Sequence, residues 1–574
     1  MTEQRLYGGA AEAAAEPAAP PAKVLAALQR GDGEAAARLA EQALAAGVVH
    51  PMLYGLRARR AEGQGRLLHA LEDFSAAVRL APQNAELQQA QGALLVRLGR
   101  GREAMAAFRR ALALRPDLGG VWHELGMAQI GDGDVSGART SLTQAAERLP
   151  GRPEPLGQLS VLATRRGDWE EGRRLALAAL ALDPAMASAT RALAEADLQA
   201  GRPDEAAERL EVWLAHGTGP GPARRLALGL LGDVRERQGR HAEAFALYAQ
   251  GNAETRRLHE PRFGRSKLVE TLQGLRTQTL SARPEPWRLP LVGEPPPPPR
   301  VHVFLMGFMR SGTTLLEQAL AARDDVVTLE EREALTSGVQ AFLGEPNGLE
   351  RLRHADLSTL SRHRADYWAR VRGFGVEPAG KVFVDKNPFN GVKLPLLWRL
   401  FPEAKIVFSL RQPQDVVLSC FKHRFAVNSY TYELLDLQSA ARLYDSYMRL
   451  VQTYLDVIPG DVLLYRHEDL VADLPGALAR ICDHLGLELS AEMFDVGRRV
   501  REGRVSSPSA VQLRNGVNRQ GLQTWRRYAT HLQGVQPLLE PWSRTFGYVE
   551  GGGGAPSFKR AATAAGCASD RDGA

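Results

Sequence analysis

Cysteine is scarce in this 574-residue chain: Cys420, Cys482 and Cys567 lie far apart, with no C-x-x-C pair among them. That spacing excludes a zinc knuckle and a disulfide framework and reads as unpaired thiols in a reducing compartment. Long apolar runs are missing as well. There is no stretch of about 18 apolar residues and no N-terminal apolar segment of signal-peptide length, so no membrane contact and a cytoplasmic location are expected. Charge of one sign is not in large excess. The 72 Lys and Arg against 66 Asp and Glu leave +6, scattered along the chain, which disfavours nucleic acid as a partner. The length exceeds one core, and roughly 150 residues per domain allows about three or four units, or a repeat array with one further domain.

What is present begins as a repeat. Residues 1–22 are rich in Ala, Pro and Glu and read as a disordered tail. Gly31, Gly65, Gly99, Gly133, Gly167 and Gly201 then recur every 34 residues, and Pro82, Pro116, Pro150 and Pro184 keep the same interval. Five positions after each glycine stands Ala36, Ala70, Ala104, Ala138, Gly172 or Ala206. The glycine is expected to end one helix in a left-handed turn, the small residue to let two helices approach, and the proline to stop the second helix. Gly239 and Ala244 continue the pattern after a slip of four residues. This period, with Trp122-His-Glu-Leu125-Gly126 in one unit, resembles the tetratricopeptide repeat. The resemblance implies an all-α solenoid over residues 23–265 whose concave surface takes a protein or peptide partner. Trp122 and the other apolar positions are expected to form inter-helix core. Residues 266–300, ending in PPPPPR, read as a Pro-rich linker, with an SH3-type ligand as the alternative.

Val301 to Met306 is a short apolar run, and Leu315, Leu316, Ala319 and Leu320 recur at helical spacing. Between them lies Gly307-Phe-Met-Arg310-Ser311-Gly312-Thr313-Thr314. A strand, a glycine loop and a helix N-terminus make an anion cradle, because the first N–H groups of a helix lack partners and its dipole is positive there. The glycine spacing is that of a nucleoside-triphosphate P-loop, yet Thr313 stands where the lysine is needed. This disfavours ATP or GTP and a kinase reading. Arg310 supplies a cation from inside the loop instead. Taken alone, the stretch also fits a strand-to-helix turn with no ligand.

The R-S-G-T-T wording resembles the 5′-phosphosulfate loop of sulfotransferases, and most of all tyrosylprotein sulfotransferases, which use 3′-phosphoadenosine 5′-phosphosulfate (PAPS). The resemblance runs in order over about residues 301–530 and implies that Arg310, Ser311, Gly312, Thr313 and Thr314 hold the donor. Glu331, twenty-one positions after Arg310, corresponds to the family's general base; by itself a solvated acidic helix start fits equally well. Lys386, in Lys386-Asn387-Pro388-Phe389, matches the lysine that neutralises charge on the leaving phosphate, although an isolated lysine in a turn is usually just solvated. Lys405 to Leu410 is a further strand, and it ends in Arg411 where a metal-holding acid would stand, so no metal is expected. Arg411 and Ser419 match the pair that holds the 3′-phosphate, while His423 replaces a further family arginine. Tyr465 resembles the tyrosine lining the nucleotide pocket, with a half-buried strand tyrosine as the alternative. Ser509, Gln512 and Asn518 resemble the cofactor loop, in which Ser509 would assist the transition state. Trp525 follows, with Thr524 in place of the family's lysine.

The expected architecture is therefore an N-terminal all-α tetratricopeptide solenoid. A P-loop-like three-layer α/β sulfotransferase domain with a parallel sheet follows over residues 301–550, then a disordered tail over 551–574. The expected reaction moves a sulfuryl group from PAPS to an acceptor hydroxyl, with protein tyrosine as the nearest precedent and the repeats recruiting a protein substrate or partner. A carbohydrate or small-alcohol acceptor is one alternative. An interaction scaffold whose α/β domain binds nucleotide without catalysis is another.

Overall fold

In the computed structural model, which describes residues 21–216, 219–281, 287, 299–458, 460–501, 513–514, 516–548 and 558, the 34-residue period is built as helix pairs. Residues 1–20, most of the Pro-rich stretch, Cys567, Ser509 and Gln512 lie outside the described residues. The chain divides into two compact units between Ala196 and Asp197, inside the repeats.

In the first unit, Pro51–Gly63 pairs with Leu67–Leu80, Ala85–Arg97 with Gly101–Leu114, Gly119–Asp132 with Val135–Arg148, and Pro153–Arg165 with Trp169–Leu182. The turns within these pairs place Gly65, Gly99, Gly133 and Gly167 at φ of 75°, 73°, 85° and 74°, a region that side chains resist. Ala36, Ala70, Ala104 and Ala138 are wholly buried, as close helix approach requires. The second helices stop at Leu80, Leu114, Arg148 and Leu182, two residues before the periodic prolines. Gly126 is small for a stated reason: a Cβ there would lie 2.7 Å from Leu142 Cγ. Trp122 is half-buried, and its indole N–H donates to the Pro116 carbonyl at 3.0 Å.

The second unit contains the last repeat helices, Pro203–Ala215, Pro222–Arg237 and His241–Phe263, with Gly201 and Gly239 again at φ of 75° and 76°. Leu268–Ser281, in the stretch read as linker, is a helix. Its Leu272 and Leu275 are buried in the core beside helix Leu437–Val457, and Arg276 Nε donates to Thr453 Oγ1 at 3.2 Å. Helical spacing of apolar residues outweighed the proline-rich composition that follows. Phe558, within the expected tail, is buried against Phe408 and Phe546, and its carbonyl accepts from Gln452 Nε2 at 2.6 Å.

Five parallel strands form one sheet: β1 (Val301–Gly307), β2 (Val326–Glu330), β3 (Val382–Lys386), β4 (Lys405–Leu410) and β5 (Val462–Arg466), in the order β2-β3-β1-β4-β5. Period-2 alternation sends Phe304 and Met306 into one core with Phe383, Ile406, Phe408 and Tyr447. Val303 and Leu305 enter the other, with Leu315, Leu316, Val384, Val407 and Leu478. Helices cover both faces, so these strands read as continuous apolar runs. From β1 the chain runs to β2 and β3 on one side and then crosses to β4 and β5 on the other, so β1 lies between β3 and β4. Open parallel sheets bind ligands at such a reversal, outside the carboxyl ends of the strands.

Candidate active site

The loop from Gly307 to Thr314 leaves the carboxyl end of β1 and enters helix Thr313–Ala321. Its two glycines are steric necessities. A Cβ on Gly307 would stand 2.5 Å from Ser311 Oγ and 2.6 Å from the Ser409 carbonyl oxygen. Gly312 has φ 93° and abuts the His467 ring, whose Nδ1 would be 2.2 Å from a Cβ. Arg310 itself takes φ 66°. A bulky side chain rarely accepts that conformation, and when it does the strain is held by its surroundings, often at functional positions.

Arg411, directly after β4, reaches this loop. Its Nη1 donates to the Arg310 carbonyl at 2.9 Å and its Nη2 to the Gly521 carbonyl at 2.5 Å. Arg310 Nε in turn donates to Ser419 Oγ at 3.1 Å, on helix Pro413–Lys422. The three residues of the two expected clamps are therefore contiguous. Burial, then the charge of Arg411, lowers the proton affinity of Arg310 below its ordinary value. Burial and the neighbouring guanidinium groups likewise hold His423 and His467 down to about 3, so both imidazoles are neutral at neutral pH. Positive charge concentrated in a buried site disfavours further protons and favours a polyanion.

Beside the loop, Lys386 ends β3 with only 1% of its side chain exposed. Its Nζ lies 2.6 Å from Glu331 Oε1 and 3.3 Å from Glu317 Oε2. Burial opposes the ammonium charge, but Glu317 and Glu331 outweigh it and raise the lysine's proton affinity. Glu331 follows β2, bonded by its N–H to the Lys386 carbonyl at 2.9 Å, and has φ 48°. Its side chain is 59% exposed. Lys386 and Glu331 are thus neither a merely solvated turn lysine nor a merely solvated acid.

The remaining expected residues are placed less uniformly. Tyr465 is buried in the core on the loop-helix side, and burial pushes its phenol above the ordinary value. His467, two residues on, is the group that touches the loop. Asn518 Oδ1 accepts from the Gln520 N–H at 3.2 Å, in the segment that carries Gly521. Asp415 pins that segment, accepting from the N–H groups of Gln523 at 2.7 Å and Trp525 at 2.8 Å. Arg526 lies over the Trp525 ring at 6.0 Å.

Sequence reasoning missed Asp415, His467 and Glu317. Asp415 reads as an ordinary acid in a helix first turn, and Glu317 as a solvent-facing helical residue. The two-residue offset of His467 from Tyr465 is the one signal that could have pointed to it.

Ser311 Oγ, Arg411 Nε and His467 Nδ1 are buried with no hydrogen-bond partner among the described residues, and all three border the loop. Buried polar atoms are normally satisfied, and donors of this kind suit phosphate and sulfate oxygens. The residue set therefore fits a ligand that carries phosphate or sulfate groups. Among the described residues no group of three or more His, Cys, Asp or Glu could hold a metal ion.

The last repeats touch this site's framework. Asn252 Nδ2 donates to the Phe421 carbonyl at 2.8 Å, and Phe245 stacks on Phe421 at 5.2 Å. Lys422 pairs with Glu236 at 2.5 Å and Arg424 with Asp233 at 2.9 Å. These contacts hold the end of the helix that carries Ser419.

Residues 302–491 match the sulfotransferase family model, and residues 22–85, 89–153, 159–221 and 192–255 match the tetratricopeptide repeat model. An uncharacterised Aquifex aeolicus protein is 24% identical over 413 residues, covering 70% of this chain and 52% of its own length. A Caenorhabditis briggsae protein, provisionally named a protein-tyrosine sulfotransferase, is 26% identical over 233 residues, 39% of this chain and 80% of its own. An omega-hydroxy-beta-dihydromenaquinone-9 sulfotransferase of Mycobacterium bovis is 27% identical over 157 residues, 26% of this chain and 40% of its own. The chain thus spans about half the length of the Aquifex relative and less than half of the mycobacterial one.

Proposed function

We propose, from the sulfotransferase-family match and the convergence of Arg310, Arg411 and Ser419 at the carboxyl ends of β1 and β4, that this protein transfers a sulfuryl group from PAPS to an acceptor hydroxyl. When bound, PAPS supplies the sulfuryl group and departs as 3′-phosphoadenosine 5′-phosphate. Arg310 and the loop from Ser311 to Thr314 would hold the 5′-phosphosulfate, and Arg411 with Ser419 the 3′-phosphate. Tyr465, Gln512 and Asn518 complete the proposed nucleotide contacts.

Glu331 would take the acceptor's proton as its oxygen attacks, because its carboxylate is exposed while anchored to Lys386. Lys386 would oppose the negative charge that builds on the leaving phosphate, and Ser509 would assist it. No step requires a metal. A protein tyrosine is the acceptor we favour, since the repeats suit recruitment of a protein substrate or partner. A relative whose name specifies an omega-hydroxy acceptor supports a second reading, a small alcohol.

The observation that carries the proposal is that the Arg411 guanidinium donates to the Arg310 carbonyl while the Arg310 guanidinium donates to Ser419, so that an arginine, and no metal-holding acid, follows β4 at this loop. Calorimetry with PAPS, with 3′-phosphoadenosine 5′-phosphate and with Mg-ATP tests it. Preference for the 3′-phosphorylated nucleotides without magnesium is expected, and preference for Mg-ATP overturns it. Incubation with labelled PAPS and cell extract then identifies the acceptor.

A further inference from the structure

Glu317 has no role in the chemistry described above, yet it is as buried as any residue of the site, with 1% of its side chain exposed. It lies one turn into the helix that the phosphate loop opens, between Leu316 and Leu320, which are core residues. Oε2 is 3.3 Å from Lys386 Nζ, while Oε1 is buried with no hydrogen-bond partner among the described residues. A half-satisfied buried carboxylate is costly and calls for a function. The same ammonium carries Glu331 at 2.6 Å on its other side. An ammonium has three N–H donors, so two carboxylates leave one for the donor nucleotide.

We propose that Glu317 is the positioning residue for Lys386, and that its ionisation governs how strongly the site holds the donor's anionic groups. This inference rests on the reading of the loop as a PAPS site. The titratable groups that face Glu317 are Lys386 on β3 and Glu330 and Glu331 at the end of β2. Burial raises the Glu317 carboxyl to about 7, Lys386 pulls it down, and the two other glutamates push it back up. Below neutrality Glu317 is neutral and adds no charge beside Lys386. Above neutrality it is ionised and adds a negative charge there, so a polyanionic nucleotide is held less tightly. Glu317→Gln preserves an oxygen for Lys386 and removes the titration. Glu317→Ala removes both.

The test is calorimetry of the full chain with 3′-phosphoadenosine 5′-phosphate across about pH 6 to 8.5, a range that spans the shifted carboxyl. The unmodified chain is expected to lose roughly tenfold in affinity relative to Glu317→Gln over that range, one pKa unit of linkage. The ligand's own ionisation is common to both and cancels. Glu317→Ala is expected to bind more weakly than Glu317→Gln throughout. In the unmodified chain alone, titration in buffers of different ionisation enthalpy should register uptake of part of a proton on binding near neutral pH, which keeps the test open if the variants do not fold. Parallel affinity curves for the unmodified chain and Glu317→Gln, or no proton uptake, overturn the inference while leaving the donor site standing. Absence of binding at every pH overturns the donor site itself, and the inference with it.

Discussion

Arg310 and Ser419 lie 109 positions apart in the chain, and the Nε of the first donates to the Oγ of the second at 3.1 Å. The loop at the end of β1 and the helix after β4 are thereby one wall of one site. Arg411 closes the same wall through the Arg310 carbonyl.

Removing Arg411 should act on binding. Arg411→Ala loses a charge-assisted contact of about 1.5–3 kcal/mol, so donor affinity is expected to fall roughly 10- to 150-fold by calorimetry. Glu331→Ala is expected to change that affinity far less and to lower turnover roughly 10²- to 10⁴-fold. Similar effects of both variants on both quantities would contradict the division of roles.

Gly312→Ala should damage the loop for two separable reasons. The φ of 93° costs a side chain on the order of 1–3 kcal/mol, and the new methyl collides with His467. A lower melting temperature and at least a tenfold loss of donor affinity are expected, as ~1.4 kcal/mol is tenfold. Adding His467→Ala relieves the collision but not the backbone strain, so recovery should be partial. Full recovery would mean that the backbone conformation is not limiting.

The last repeat should matter to the site. Asn252→Ala leaves the buried Phe421 carbonyl without its 2.8 Å partner, at a cost of about 1–3 kcal/mol. Because Phe421 is two residues beyond Ser419, donor affinity should weaken along with thermal stability. A variant that loses stability but keeps its affinity would show that the repeat only supports the fold.

Asp385 should give stability a pH dependence. It is buried on β3, accepting from the Tyr367 hydroxyl at 2.8 Å and from Asn390 Nδ2 at 3.3 Å. Burial raises it to about 7, against these hydrogen bonds and the charge of Lys393. The folded chain keeps a proton that the unfolded chain releases at the ordinary carboxyl value. The contribution to stability is therefore complete below that value and lost as pH rises through about 7. Melting temperatures of the unmodified chain should fall from about pH 4 to about pH 8 relative to those of Asp385→Asn. Curves of equal slope would place the titration elsewhere.

Much of this molecule was legible before folding because its signals are local. A glycine every 34 residues, with a small residue five later, dictates a helix pair whatever surrounds it, and the positive φ values at Gly65, Gly99, Gly133 and Gly167 follow. The strand runs and the loop Gly307 to Thr314 were equally plain, since burial on both faces and close backbone approach each leave a short imprint. The helix Leu268–Ser281 was obscured by the prolines after it.

Sequence by itself thus determined the repeat, the strands and the glycine loop before helix Thr313–Ala321, because each depends on residues within a few positions of one another. Tertiary structure alone decided the strand order β2-β3-β1-β4-β5, the docking of Asn252 and Phe245 on the Ser419 helix, and the burial of Glu317 against Lys386. Those depend on contacts between residues far apart in the chain, and neither propensity nor spacing encodes which distant side chain will share a low-dielectric space.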